Sequence, residues 1–307
     1  MLLPAAMPGI LGLEPAVAAG DPVIAAAGDI ACDPTSSAFN RGSGSSSTCR
    51  ARYTSDLLVT GNFAGVLALG DNQYYCGGYD AFVRSYALSW GRVKSVTHPV
   101  VGNHEYLTSG GTGCDNGNQD AEGYFDYFGS AAGQQGKGWY SFNVGAWHLV
   151  ALNSNCGDAG GCSKGSPQYN WLSADLAAHP ATCTLAFWHI PLFSSGGRSA
   201  ANMRSIWQLL YDRKADLVLE GHDHIYERFG PQTSTASADA SRGLRSFVVG
   251  TGGANHTPLE TVAANSEARN TSTFGVLRLT LHSSSYDWKF LPEAGKTFSD
   301  SGSASCH

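Results

Sequence analysis

Short apolar runs punctuate the chain, each ending at a glycine or polar cluster: Val23 to Ala27, Ala64 to Leu69, Pro99 to Val101, Thr184 to Trp188, and Asp216 to Glu220. Runs of this length without alternation predict strands buried on both faces, as in a parallel sheet. Just past their ends stand Asp29, Asp71, Asn103, His189, and the pair His222 and His224. Residues at the carboxyl ends of such strands share one rim of a sheet, where loops can approach a ligand on a rigid support.

Helical periodicity recurs between these runs. Ser166-Pro167 reads as an N-cap with proline at the first helical position, opening a helix through His179 with Trp171, Leu172 and Leu176 as its buried stripe. Asn202 to Arg213 is a second helix, carrying Ile206, Leu209 and Leu210. After His224 the strong segments are strands, at Ser246 to Gly250, Phe274 to His282 and Tyr286 to Phe290. The pattern predicts an α/β protein.

A single Gly-Asp after a strand is ordinarily a turn or a helix cap. Two aspartates, an asparagine and three histidines, each at a strand end, carry more weight together. They form the islands Gly28-Asp29, Gly70-Asp71-Asn72-Gln73-Tyr74, Gly102-Asn103-His104-Glu105, Trp188-His189 and Gly221-His222-Asp223-His224. In these islands and their order the chain resembles the purple acid phosphatase branch of the calcineurin-like metallophosphoesterases, from about Val23 to about Leu281. Ala31 stands where the branch often has Gly and Ala186 where it often has Val; neither is a ligand.

The resemblance implies a four-layer αββα sandwich of two mixed β-sheets flanked by helices. It also implies Asp29, Tyr74 and His224 at a first metal, Asp71 bridging, and Asn103, His189 and His222 at a second. Most of the superfamily places a histidine where Ala31 stands, and Tyr74 resembles its replacement. A phenolate is a hard anionic donor that favours a trivalent ion, so Fe(III) is expected beside Zn(II), Mn(II) or Fe(II), with a charge-transfer colour. Two ions about 3.5 to 4 Å apart would activate a water and clamp phosphate oxygens.

His104 follows the ligand Asn103, and an imidazole suits protonation of the leaving group, with Glu105 orienting it; the alternative is that His104 only positions substrate. Asp223 lies between two ligand histidines and points away from them if the stretch is extended, making it a supporting residue. Arg198, in Ser194-Ser195-Gly196-Gly197-Arg198, is placed to grip phosphate or to stand solvated at the surface. Asn255 and His256, after Gly250-Thr251-Gly252-Gly253, lie in a loop near the site in relatives. His98, His148, His179, His282 and His307 lack a ligand neighbourhood and read as ordinary residues.

Composition narrows the setting. The 307 residues suffice for one large domain. Residues 1–19 end in Ala16-Val17-Ala18-Ala19 and resemble a secretory signal, though without a basic start and with Pro4, Pro8 and Pro15 inside it. Residues 20–307 are then the single catalytic domain. The 8 cysteines include no zinc-type Cys-x-x-Cys pair, so disulfides and export are the simplest account. Local pairing suggests Cys32 with Cys49, Cys156 with Cys162, Cys76 with Cys114 and Cys183 with Cys306, among 105 connectivities. A net charge of -6 without a basic run argues against nucleic acid or anionic membranes as the main partner. No segment offers about 20 consecutive apolar residues to span a membrane. The expected substrate is a small-molecule phosphate ester. The reading is a secreted dinuclear phosphatase acting on monoesters through a metal-activated hydroxide; a phosphodiesterase with the same centre, or a phosphate-binding protein with little turnover, are the alternatives.

Overall fold

The structure is a computed structural model describing residues 20–114 and 119–307, so the leader expected at residues 1–19 and part of the Gly110 to Asp120 loop lie outside it. The apolar runs become β1 (Val23–Ala27), β2 (Gly65–Leu69), β3 (Thr97–Val100), β6 (Cys183–Phe187) and β7 (Leu217–Glu220). Between and after them come β4 (Tyr140–Val144), β5 (Trp147–Ala151), β8 (Tyr226–Phe229), β9 (Arg245–Val249) and β10 (Ser266–Asn270). The chain closes with β11 (Gly275–Leu281), β12 (Ser285–Pro292) and β13 (Ser301–Ser305).

Two mixed sheets result. One has six strands in the order β13-β12-β11-β1-β2-β3, the other seven in the order β10-β8-β9-β7-β6-β5-β4. The pairs β1·β2 and β2·β3 are parallel, as are β5·β6, β6·β7 and β7·β9, while the outer strands pair antiparallel. The parallel strands β2, β5, β6 and β7 are buried along their whole length, which explains their unbroken apolar sequence. Antiparallel β12 instead alternates buried Tyr286, Trp288 and Phe290 with exposed Asp287 and Lys289.

The alternation of strand faces assigns the cores. Leu185 and Phe187 of β6 pack in one apolar cluster with Leu67 and Leu279 of the other sheet, joining the two. Ala186, on the opposite face of β6, and Trp188 pack with Ile206, Trp207 and Leu210 of helix α5 (Arg204–Asp212), one of five α-helices among the described residues. The others are α1 (Ala51–Thr60), α2 (Tyr79–Arg84), α3 (Glu122–Phe128) and α4 (Pro167–Ala178). Phe82 of α2 and Tyr124 and Phe128 of α3 join the cluster of the six-stranded sheet, so helices flank both sheets in an α/β sandwich. Among the described residues no helix is long and apolar enough to cross a membrane.

Helix α4 begins as expected, with the Ser166 hydroxyl accepting from Tyr169 N–H and Pro167 in the first turn. Its buried stripe differs: Gln168, Leu172 and Asp175 are buried, while Trp171 and Leu176 are only partly covered. The reason is polar docking. Gln168 accepts from Asn153 N at 2.7 Å and donates to Asn153 O at 2.9 Å, and Asp175 accepts from Ser141 and His148, each at 2.8 Å.

All eight cysteines are paired, as Cys32–Cys49, Cys76–Cys114, Cys156–Cys162 and Cys183–Cys306. The last bridge crosses the sandwich, from the start of β6 to the residue just past β13.

Candidate metal centre

The carboxyl ends of β1, β2 and β3 deliver oxygen donors. Tyr74 Oη lies 2.9 Å from Asp29 Oδ1 and 3.1 Å from Asp71 Oδ2. The carboxyl ends of β6 and β7 deliver nitrogens to the same place. His224 Nε2 stands 2.9 Å from Tyr74 Oη and 3.2 Å from Asp29 Oδ1. On the other side of Asp71, His189 Nε2 lies 3.2 Å from Asp71 Oδ1, 3.1 Å from Asn103 Oδ1 and 3.2 Å from His222 Nδ1. Asp71 thus has one oxygen in each group of donors. Asp71, His189 and His222 by themselves present ligand atoms within 4.8 Å of one another.

Hydrogen bonding does not account for this packing. Tyr74 has one hydroxyl proton facing three electron-rich atoms, and His189 Nε2 faces a carboxylate, an amide oxygen and another ring nitrogen. Neighbouring ligands at right angles around one ion, each about 2.1 Å from it, stand about 3.0 Å apart. The donor set therefore fits two cations sharing Asp71. The rings are held from behind: His189 Nδ1–H donates to Leu69 O at 2.8 Å and His224 Nδ1–H to Asn255 Oδ1 at 3.0 Å, leaving both Nε2 atoms free to ligate.

Electrostatics give the same picture. Burial opposes charge on Asp29 and Asp71, yet His224 and His189 respectively hold both carboxyls below their ordinary range. Burial lowers the affinity of His189 for a proton, but Asp71 prevails and raises its pKa to about 9. Burial, then the charge of His189, lowers His222 to about 4. Burial and the two aspartates push the Tyr74 hydroxyl well above an ordinary phenol. Without cations Tyr74 and His189 thus keep protons that bound cations would displace.

The backbone is bent to this purpose. Asp29, Asp71 and His222 have φ of 60°, 44° and 70°, a left-handed conformation that costs a side-chain-bearing residue energy and often marks functional sites. Gly70, with φ of 83°, lies against His189, so a Cβ there would fall 2.6 Å from the imidazole. A Cβ on Gly102 would fall 2.2 Å from Asp71 Oδ1. These contacts give a steric reason for glycine in both islands.

Other expected site residues surround this core. His104 Nε2 is 3.9 Å from Asp71 Oδ2, while its Nδ1 lies 2.6 Å from Tyr75 O. The Glu105 carboxylate accepts from Gln73 N at 3.1 Å and Gly102 N at 2.6 Å, tying together the two loops that carry Tyr74 and Asn103. Burial, with Asp71 adding to it, raises its pKa to about 8. Asp223 turns from the donors and accepts from Ser194 Oγ and from Arg198 N, the latter at 3.4 Å. Arg198 is exposed, and its charge reaches His222 and His224.

Several contributors stand out only in three dimensions. Glu227 accepts from Ser195 N at 2.8 Å and Ser195 Oγ at 2.5 Å, anchoring the loop that precedes Arg198. Its place two residues after the Ile225 that follows His224 was the available signal. Asn255, whose loop lies near the site in relatives, orients His224. His148 and His179 do have a ligand-type neighbour, contrary to expectation: Asp175 lies 2.8 Å from His148 Nε2 and 3.2 Å from His179 Nδ1.

The chain matches the family model for calcineurin-like phosphoesterases over residues 24–226. Among curated proteins, Purple acid phosphatase 15 of Arabidopsis thaliana is 33% identical over 155 residues, which cover 45% of this chain and 27% of that protein. An uncharacterized protein of Mycobacterium tuberculosis is 29% identical over 190 residues, covering 50% of this chain and 35% of its own length. The chain thus spans about a third or less of these relatives. Among solved structures, a purple acid phosphatase from yellow lupin seeds superposes with a TM-score of 0.66 at 20% identity, covering 92% of this chain and 53% of that one. The anchor in the inner membrane complex of Plasmodium gives a TM-score of 0.60 at 14% identity, covering 94% and 90%. The motif order, the paired mixed sheets and the family match together place the chain in the calcineurin-like phosphoesterase family, on its purple acid phosphatase-like branch.

Proposed function

We propose that the protein is an exported phosphatase that hydrolyses phosphate monoesters at a dinuclear centre of Fe(III) and Zn(II), Mn(II) or Fe(II). The observation that carries this reading is Tyr74 Oη, set 2.9 to 3.1 Å from Asp29, Asp71 and His224. A deprotonated phenol buried beside two carboxylates calls for a highly charged ion, which favours a ferric site of Asp29, Tyr74 and His224. Asp71 would be shared by the two ions, and Asn103, His189 and His222 would hold the divalent one. When bound, such a pair supplies an activated water and neutralises phosphate oxygens. The fold alone does not imply catalysis; the donor set supports it here.

The chain's own groups complete the chemistry. Tyr75 O accepts from His104 Nδ1–H at 2.6 Å, so the ring is held with Nε2 toward the cluster. From there a proton on Nε2 passes to the departing alkoxide. Arg198, exposed near His222 and His224, grips phosphate oxygens, and Asp223 fixes its backbone. The four disulfides support export, with residues 20–307 as one catalytic domain.

The deciding experiment compares kcat/KM for an aryl phosphate monoester and the matching diester, on protein of measured metal content. A strong monoester preference is expected. A diester preference reassigns the protein as a phosphodiesterase, and two bound ions without turnover reduce it to a phosphate binder.

A further inference from the structure

A cleft of about 360 Å³ opens beside the donor cluster, with Tyr74 and Asn255 in its wall. Both belong to the cluster's surroundings, since Tyr74 Oη meets Asp29 and Asn255 Oδ1 meets His224 Nδ1. Thr35 and Ser36 also line it, as does Tyr75, which is 48% exposed. The Tyr75 ring meets the His104 ring edge-on at 4.8 Å. An ester whose leaving oxygen faces His104 Nε2 would therefore carry its alcohol portion past Tyr75 into this cleft.

The walls define what fits. Among the described residues no lysine or arginine lines the cleft. Asp33, the one carboxylate among the described lining residues, is 8% exposed and accepts from the backbone and hydroxyls of Thr35 and Thr112. A polyanionic alcohol would find no counter-charge there. An uncharged ring meets an exposed aromatic face, flanked by the hydroxyl-bearing Thr35 and Ser36. The shape is also set in advance. The disulfides Cys32–Cys49 and Cys76–Cys114 fix the segments on both sides, and Asp33 joins the loops of Thr35 and Thr112, so little ordering opposes binding.

Building on the phosphatase reading, we infer that this cleft is a leaving-group subsite selecting phosphate esters of uncharged, ring-bearing alcohols, with Tyr75 as its specificity-determining residue. This choice is made by the cleft and not by the cations, which see only the phosphate.

Steady-state kinetics on metal-loaded protein test it, using a nucleoside 5′-monophosphate, glycerol phosphate and inositol hexakisphosphate with wild type, Tyr75→Ala, Tyr75→Phe and Ser36→Arg. Tyr75→Ala should raise KM for the nucleotide about tenfold, the worth of one lost ring stack. Any loss on glycerol phosphate should be about tenfold smaller than the loss on the nucleotide, and Tyr75→Phe should behave as wild type. Ser36→Arg should raise activity on inositol hexakisphosphate. Equal losses of Tyr75→Ala on nucleotide and glycerol phosphate would overturn the subsite while leaving the phosphatase intact, because the ring would then act only through His104. Wild type inert toward all three esters would refute the phosphatase reading and the subsite with it.

Discussion

His104 Nδ1 lies 2.6 Å from the carbonyl oxygen of Tyr75, and this contact decides which nitrogen of the imidazole faces the donor cluster. A carbonyl can only accept, so Nδ1 carries hydrogen and Nε2, 3.9 Å from Asp71 Oδ2, is the atom free to exchange a proton. His104→Ala should therefore lower kcat for alkyl phosphates by about 10² to 10⁴ and for activated aryl phosphates by much less. Measuring both on one preparation settles the role; equal losses would assign His104 to positioning.

Asp71 reaches both groups of donors, so Asp71→Ala should release both cations, a result that metal analysis reads directly. Tyr74→Phe should keep the divalent ion and remove visible absorption. An iron-loaded wild type without colour would refute the phenolate assignment.

Metal uptake should itself depend on pH. Tyr74 is held protonated by burial and two carboxylates, and His189 by Asp71, so cations must displace protons from both. Affinity should rise with pH, with proton release detectable by calorimetry in buffers of different ionisation enthalpy. Uptake without proton release would count against these two ligands.

Glu220 links pH to stability. Its carboxylate accepts from Leu192 N at 3.0 Å, and burial raises its pKa from 4.5 to about 8. An acid whose folded pKa exceeds its unfolded value favours folding while protonated. That contribution is whole below about pH 4.5 and fades as pH climbs to about 8. Between these limits Glu220→Gln should remove a slope worth on the order of 5 kcal/mol from the metal-free protein. Chemical denaturation at several pH values tests this; parallel slopes for the two proteins would disprove it.

The Cys183–Cys306 bridge closes a sequence separation of 123 and lies at the amino end of β6, on the opposite rim from His189. Replacing both cysteines with serine should cost about 4 to 5 kcal/mol of stability by the chain-entropy account. At 25 °C kcat/KM should stay within about twofold of wild type. A large catalytic loss with little change in Tm would contradict this separation of roles.

The strands bearing candidate ligands were legible because burial on both faces leaves unbroken apolar runs such as Val66 to Leu69, and three of them, β1, β2 and β7, end at left-handed residues, Asp29, Asp71 and His222. The four disulfide pairs were also among those suggested by local spacing. What sequence left obscure depends on contacts between distant segments. Glu105 was expected beside His104, yet its carboxylate binds the backbone of Gln73 and Gly102. Helix α4 docks through Gln168 and Asp175, whose partners Asn153 and His148 lie on and just after β5, so an apolar stripe could not reveal its orientation. Nor does anything local mark Tyr75 as facing a cleft walled by residues from four stretches of chain.

The oxygen donors Asp29, Asp71, Tyr74 and Asn103 all follow strands of one sheet, and the nitrogen donors His189, His222 and His224 all follow strands of the other. Neither sheet alone could assemble either proposed ion site, so cation binding and closure of the sandwich are thermodynamically coupled. Bound cations would act as a clasp across the seam: chelation should loosen the halves, and the melting temperature should become a gauge of occupancy.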